Sequence, residues 1–203
     1  MSPRPCPLLL FASQNPSKLL TYEPIFKSMG FEITDLNRVQ SSSIKPVEDA
    51  PTVTGNAVIK ARFYQSKEFP NVFAEDIGIC FDALNDEPGV QARRWGGLFS
   101  DDVDDQTWMD YLLMRMQNVP NPQRTGRFIT GWALACAQDS TVHTHQLQIP
   151  FRIHQSPIRP MTPGSPMTAL IAGPLNIIKQ RQERLATQLT SWAPLQMLRQ
   201  TTR

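Results

Sequence analysis

The chain has 203 residues, 40 % hydrophobic and 19 % charged, with a net charge of +2. That length suits one domain able to bury a sizeable core, and the composition fits neither a disordered chain nor a membrane protein, since no apolar run approaches the roughly 18 residues that span a bilayer. The charge is divided: residues 1–110 carry 16 acidic and 10 basic side chains, and residues 111–203 carry 2 acidic and 10 basic ones. Such an asymmetry is either an acidic, metal-binding side facing a basic, anion-binding side, or a chance spread of solvated groups. The basic residues come singly, with no interleaved aromatic stripe, which argues against nucleic acid as a partner. Three cysteines in no metal-like spacing argue against a disulfide framework and for a reducing, cytoplasmic location. Residues 1–11 hold one arginine and three prolines, a poor signal peptide.

In chain order, residues 8–12 form a short apolar run, the mark of a buried strand. Asn15 is a good N-cap, Pro16 fits the first helical position, and residues 19–29 read as helix stopped by Gly30. Pro24 should kink or shorten it. Residues 31–35 read as a weak strand and 38–51 as polar loop. Thr54 or Gly55 could cap a helix over 56–67. A strand begins at Val72 and continues to Phe81, and 85–89 is a turn-rich loop. Asp101, Asp102, Asp104 and Asp105 precede a helix over 108–116, where capping and solvation explain them without a metal. Residues 128–137 alternate as a strand, and so do 147–153, with Pro150 pushing the latter to an edge. Residues 150–174 hold six prolines and no acid, an irregular Pro-rich segment within the single domain 1–203. Gly173-Pro174 opens a last helix with Ile178, Leu185, Leu189 and Trp192 in one stripe, fraying after about Leu198.

Three segments carry candidate chemistry. Ser13-Gln14-Asn15-Pro16-Ser17-Lys18 joins a strand to a helix, where free N–H groups, the Ser13 and Asn15 side chains and the Lys18 charge suit an anion. It lacks the glycines of a Walker loop. Glu75-Asp76 lies at the end of a buried strand, where adjacent carboxylates need a metal or cation unless they are solvated. Glu48-Asp49 lies in the loop before the helix carrying Asn56 and Lys60, where the ordinary state of an acid is solvation. His143 and His145 share one strand face but lack a third metal ligand. Cys80 and Cys136 read as core. Trp95 either packs or stacks on a base.

In order and spacing, these segments resemble the inosine triphosphate pyrophosphatase family, the noncanonical purine nucleoside triphosphate pyrophosphatases. The family's Thr/Ser-Gly-Asn-x-x-Lys loop is matched by residues 13–18. Its acidic pair and Glu-Asn-Ala-x-x-Lys-Ala are matched by Glu48-Asp49 and by Gly55-Asn56-Ala57-Val58-Ile59-Lys60-Ala61. Its Asp-Asp-Ser-Gly-Leu is matched by Glu75-Asp76-Ile77-Gly78-Ile79, and its Pro-Gly turn by Pro88-Gly89 leading to Arg94. Gln123-Arg124-Thr125-Gly126-Arg127 matches its lead into the next strand. The likeness covers about residues 8–137.

The resemblance implies an α/β fold with an elongated, twisted mixed β-sheet flanked by helices, two lobes around a central cleft, and a homodimer. It implies hydrolysis of noncanonical purine triphosphates such as ITP, XTP or dITP to the monophosphate and pyrophosphate, with Mg²⁺. The implied metal residues are Glu48, Asp49, Glu75 and Asp76. Asp76 is also the implied general base, and Lys18 and Lys60 stabilise the leaving pyrophosphate. The implied substrate-binding residues are Ser13, Gln14, Asn15, Pro16, Ser17, Lys18, Asn56, Lys60, Ile77 and Arg94, with Lys179 and Arg184 on the last helix. The chain departs from the family in lacking Gly-Phe-Gly-Tyr-Asp-Pro, whose aromatic and acid contact the purine, and the Ser-His-Arg of the last helix. Ile77 stands for the usual Ser and Gly55 for a Glu. A noncatalytic nucleotide-binding homologue is therefore the alternative to an enzyme, and an interaction module built on residues 150–174 the third reading.

Overall fold

In a computed structural model of the chain, residues 7–39, 44–137, 140–172 and 176–201 are described, the side chains of 176–181 and 201 excepted. The fold is α/β. Strand β1 is Leu8–Phe11, β2 Glu32–Asp35, β3 Val72–Phe81, β4 Pro88–Gly89, β5 Thr125–Ala135 and β6 Val142–Arg152. Helix α1 is Pro16–Ser28, α2 Val53–Tyr64, α3 Asp105–Arg115, α4 Asn176–Ser191 and α5 Ala193–Thr201. The strands form one mixed sheet in the order β2-β1-β3-β5-β6, with β4 added to β3. β1 pairs parallel with both β2 and β3, and β4 pairs antiparallel with β3. Pro150 lies in β6, at the end of that order, the edge position that the proline predicts.

The chain divides into two compact units: Met1–Asp76, Gly131–His145 and Asn176–Arg203 form one, and Ile77–Thr130 and Gln146–Leu175 the other. In the first unit, strand alternation sorts the core into two kinds. Phe11, Phe73 and Trp132 meet Tyr22, Phe26 and Trp192 in an aromatic cluster with ring centroids 4.9–6.5 Å apart. Their sequence neighbours, Leu10, Ala12, Val72, Ala74, Ala133 and Ala135, pack instead with Ala57 and Ala61 of α2. Small residues let this helix approach closely. A Cβ on Gly131 of β5 would lie 2.5 Å from the Thr54 backbone nitrogen.

Local chemistry sets the helix limits. Asn15 Oδ1 accepts the Ser17 N–H at 2.9 Å. At the other end of α1, Gly30 N–H bonds the Lys27 carbonyl and Phe31 N–H the Phe26 carbonyl, both at 3.0 Å, and the Phe26 and Phe31 rings meet. Pro24 does not shorten the helix, which continues to Ser28. The carbonyl that Pro24 leaves without a donor belongs to Leu20, whose side chain is 74 % exposed, on the face where water can replace the bond. Thr52, rather than Thr54 or Gly55, caps α2, accepting the Gly55 N–H at 3.0 Å. α3 starts three residues before the expected Trp108 because Asp104 caps it, accepting the Thr107 N–H at 2.8 Å.

The expected single last helix is two. Pro194 has no N–H for the Thr190 carbonyl, which accepts instead from Gln196 Nε2 at 2.9 Å, and α5 restarts at Ala193. Leu185 and Leu189 are buried as expected, and so are Leu195 and Leu198, so the helix holds to Thr201 instead of fraying. The Ile178 side chain, residues 173–175 and Cys6 lie outside the described residues. Beyond β6, residues 153–165 hold only isolated bridges, and a short helical turn, Pro166–Ala169, follows.

In the second unit, Trp95 is packed, 5 % exposed, with its ring 5.2 Å from Trp108 and 4.9 Å from Tyr111. Arg124 is also buried and donates to the Met116 carbonyl at the C-terminus of α3 at 2.7 Å, and burial lowers its pKa. His145, in the first unit, stacks on Trp132 with ring centroids 5.4 Å apart. Cys80 and Cys136 are buried, as expected of core residues. No helix among the described residues is long and apolar enough to cross a membrane.

Gly131→Ala should force α2 and β5 apart and cost about 1–3 kcal/mol, read as a lower urea midpoint. Glu23 gives a pH test. Arg38, by two hydrogen bonds, and Lys27 hold its carboxyl at about 2 against the ordinary 4.5. A pKa depressed on folding stabilises above the unfolded value, and the gain is lost as pH falls through the folded one. Wild type should therefore exceed Glu23→Gln in urea midpoint at neutral pH, and the gap should close between about pH 4.5 and about pH 2.

Candidate functional site

The centre of the candidate site is a pair of consecutive acids on β3. Successive strand residues point to opposite faces, so Glu75 and Asp76 meet different helices, and each helix answers with two residues four apart on one face. On α2 these are Asn56 and Lys60. Lys60 Nζ lies 2.8 Å from Asp76 Oδ1 and 2.9 Å from Glu48 Oε2. Asn56 Nδ2 donates to Asp76 Oδ2 at 3.2 Å while its Oδ1 accepts the Ala50 N–H at 2.9 Å, fastening the acidic loop to the helix. The loop fits because residue 55 is glycine: a Cβ there would lie 2.6 Å from the Ala50 Cβ. Burial opposes the Lys60 charge, but Asp76 and then Glu48 outweigh it and raise its pKa above the ordinary lysine value.

On α1 the pair is Lys18 and Tyr22. Glu75 is 2 % exposed. Its Oε1 accepts a short hydrogen bond from the Tyr22 hydroxyl, which in turn accepts from Trp132 Nε1 at 2.9 Å. Glu75 Oε2 lies 3.3 Å from Lys18 Nζ, an ion pair without hydrogen-bond geometry. The structure thus gathers Glu48, Asp76, Asn56 and Lys60 into one set and puts Glu75 with Lys18 in another. Among the described residues no group of three His, Cys, Asp or Glu side chains is placed to hold a metal ion.

The loop at residues 13–18 differs from the expectation of free N–H donors. Ser13 Oγ accepts the Asn15 N–H at 3.2 Å, Asn15 Oδ1 that of Ser17, and the Asn15 carbonyl that of Lys18 at 3.1 Å. Small polar residues at a helix start bond their own backbone. The Gln14 carbonyl accepts from Asn37 Nδ2 at 2.9 Å, and Pro16 occupies the first turn of α1. Of the other candidates, Asp49 is exposed, Arg184 is exposed on α4, and the Lys179 side chain lies outside the described residues. Ile77 and Arg94 belong to the second unit, where Arg94 Nε lies 3.5 Å from Asp101 Oδ1. Tyr22 and Trp132 went unselected in the sequence. The available signal was the four-residue spacing of Tyr22 from Lys18 on one helix face.

With this geometry in view, the chain's relatives can be placed. The model of the Ham1 family matches residues 9–160, and the chain belongs to that family. It is 34 % identical over 137 residues to a dITP/XTP pyrophosphatase of Leuconostoc mesenteroides, 66 % of each chain. It is 37 % identical over 128 residues to a dITP/XTP pyrophosphatase of Corynebacterium efficiens, 62 % of this chain and 60 % of that one. The matched stretch spans just under two thirds of these curated relatives' lengths. Among solved structures, a Ham1 protein from Coxiella burnetii shares the fold with a TM-score of 0.68 at 23 % identity, covering 92 % of this chain and 100 % of that one. A nucleoside-triphosphatase / dITP/XTP pyrophosphatase from Mycobacterium abscessus gives 0.62 at 26 % identity, over 90 % and 98 %.

Lys60→Met removes the cation between Glu48 and Asp76. Breaking a fully buried pair costs about 3–5 kcal/mol. The loss here should be smaller, because the Glu48 side chain is 33 % exposed, and the urea midpoint of the variant at neutral pH reads it.

Proposed function

We propose that this protein is a Mg²⁺-dependent nucleoside triphosphate pyrophosphatase acting on noncanonical purine triphosphates of the ITP, XTP or dITP kind. The observation that carries the reading is the convergence of Glu48 and Asp76 on one ammonium, 2.9 and 2.8 Å from their oxygens. Two carboxylates that share one cation can share another, and an all-oxygen donor set suits magnesium, which takes few protein ligands and completes its shell with phosphate oxygens and water. Glu48 and Asp76 would hold the ion. Bound there, magnesium supplies charge neutralisation on the phosphate oxygens. The names of the relatives supply the substrate class, and the absent Gly-Phe-Gly-Tyr-Asp-Pro motif leaves the preferred base to measurement.

Water attacks the α-phosphorus, the bond from that phosphorus to the bridging oxygen breaks, and pyrophosphate leaves with the electron pair. Asp76, oriented by Asn56 and Lys60, accepts the proton of the attacking water. Lys18 supplies a positive charge to bind the polyphosphate, and Lys60 keeps Glu48 and Asp76 together. The remaining demand on the chain is alignment, which the two helices impose. A homodimer and a cytoplasmic location accompany this reading.

Pyrophosphate release from a panel of nucleoside triphosphates tests it. Wild type with magnesium should turn over ITP, XTP or dITP, a chelator should abolish the signal, and Asp76→Asn should lower the rate by about 10²–10⁴-fold. Full activity in Asp76→Asn would overturn the mechanism. Nucleotide-dependent thermal stabilisation without turnover would point to the noncatalytic homologue.

A further inference from the structure

We propose that Glu75 is a positioning residue: anchored from behind by Tyr22 and Trp132, it fixes where the Lys18 ammonium stands to meet a polyphosphate. The proposal deepens the pyrophosphatase reading and rests on it. An indole N–H can only donate. The Trp132 bond therefore takes a lone pair of the Tyr22 oxygen and leaves the hydroxyl proton for Glu75 Oε1. Trp132, Tyr22 and Glu75 are each no more than 2 % exposed, so this chain of bonds is held by packing on every side. With Oε1 committed, Oε2 stands against Lys18 Nζ.

The two lysines thereby take different parts. Lys60 hydrogen-bonds two carboxylates and is 8 % exposed. Its charge is spent holding the acidic loop against β3. The Lys18 side chain is 23 % exposed, and its contact with Glu75 lacks hydrogen-bond geometry. Glu75 attracts the ammonium to one place by a single ion pair, and an ammonium has three N–H donors, so donors remain to face an anion beside the loop at residues 13–18. A contact made equally in the bound substrate and in the transition state appears in KM and leaves kcat unchanged.

Tyr22→Phe keeps the ring and removes the hydroxyl, and Glu75→Gln keeps the shape and removes the charge. Each should raise KM for the triphosphate about 5–20-fold with kcat within about twofold. Both should weaken tripolyphosphate binding in the presence of magnesium, followed by the ligand-induced rise in Tm. Phe26→Leu, which trims a buried ring packed against Tyr22 and Phe73 without touching the hydrogen-bonded chain, is the control for lost packing: it should lower Tm while leaving KM within about twofold. An unchanged KM in Tyr22→Phe overturns the proposal, as does a Phe26→Leu variant whose KM rises as far as that of Tyr22→Phe. Wild type without turnover of any triphosphate overturns the pyrophosphatase reading instead. In that event a tripolyphosphate shift diminished in Tyr22→Phe and Glu75→Gln still supports the positioning role, and an absent or undiminished shift removes it.

Discussion

Strand alternation at Glu75-Asp76 is the constraint on which the first unit of this molecule depends. Two carboxylates next to each other in sequence cannot share a face of β3, so each needs its own compensation. The chain supplies it twice with one device, a basic residue and a polar residue four apart on a helix: Lys18 and Tyr22 for Glu75, Lys60 and Asn56 for Asp76. Burying either acid without a partner would cost free energy, and docking each helix supplies that partner.

The two compensations differ in kind because the two cores differ. Around Glu75 the neighbours are large aromatics, and its carboxylate meets the tyrosine hydroxyl, backed by an indole, and the Lys18 ammonium. Around Asp76 the neighbours are alanines and a glycine, which bring the α2 backbone close enough for short side chains to bridge to the acid. Gly55 belongs to the same arrangement. Its missing side chain is filled by Ala50, which carries Glu48 toward Lys60. A glutamate at this position, as the resembling family has, would displace Ala50.

The departures in the C-terminal third fall outside this cluster. Residues 153–165 replace a motif with irregular but partly packed chain, and α4 and α5 carry no histidine where the family places one. The acids and lysines of the cluster come from α1, α2, β3 and the loop before α2, all within the stretch that the Ham1 family model matches. The acids and lysines of the cluster can therefore persist while the C-terminal third changes, because the two lie on different segments.

Much was legible without coordinates. The β1 run, the Asn15-Pro16 helix start, the Gly30 stop and the β3 strand follow from local propensity and capping, which act between near neighbours. Lys18, Glu48, Asn56, Lys60 and Asp76 stand in the order and spacing of the family that the sequence resembles, and the linear chain keeps that order. The sequence does not say which acid faces which helix, because it records neither the sheet order nor the side from which α1 and α2 pack. Tyr22 and Trp132 lie 110 positions apart, and only the fold brings them into a hydrogen bond. The break between α4 and α5 required knowing that the Gln196 side chain could take the carbonyl Pro194 leaves unpaired. Composition and motif determined what the chain has to work with; long-range packing, by choosing each buried group's partner, decided that Lys60 hydrogen-bonds two acids and that Lys18 pairs with Glu75.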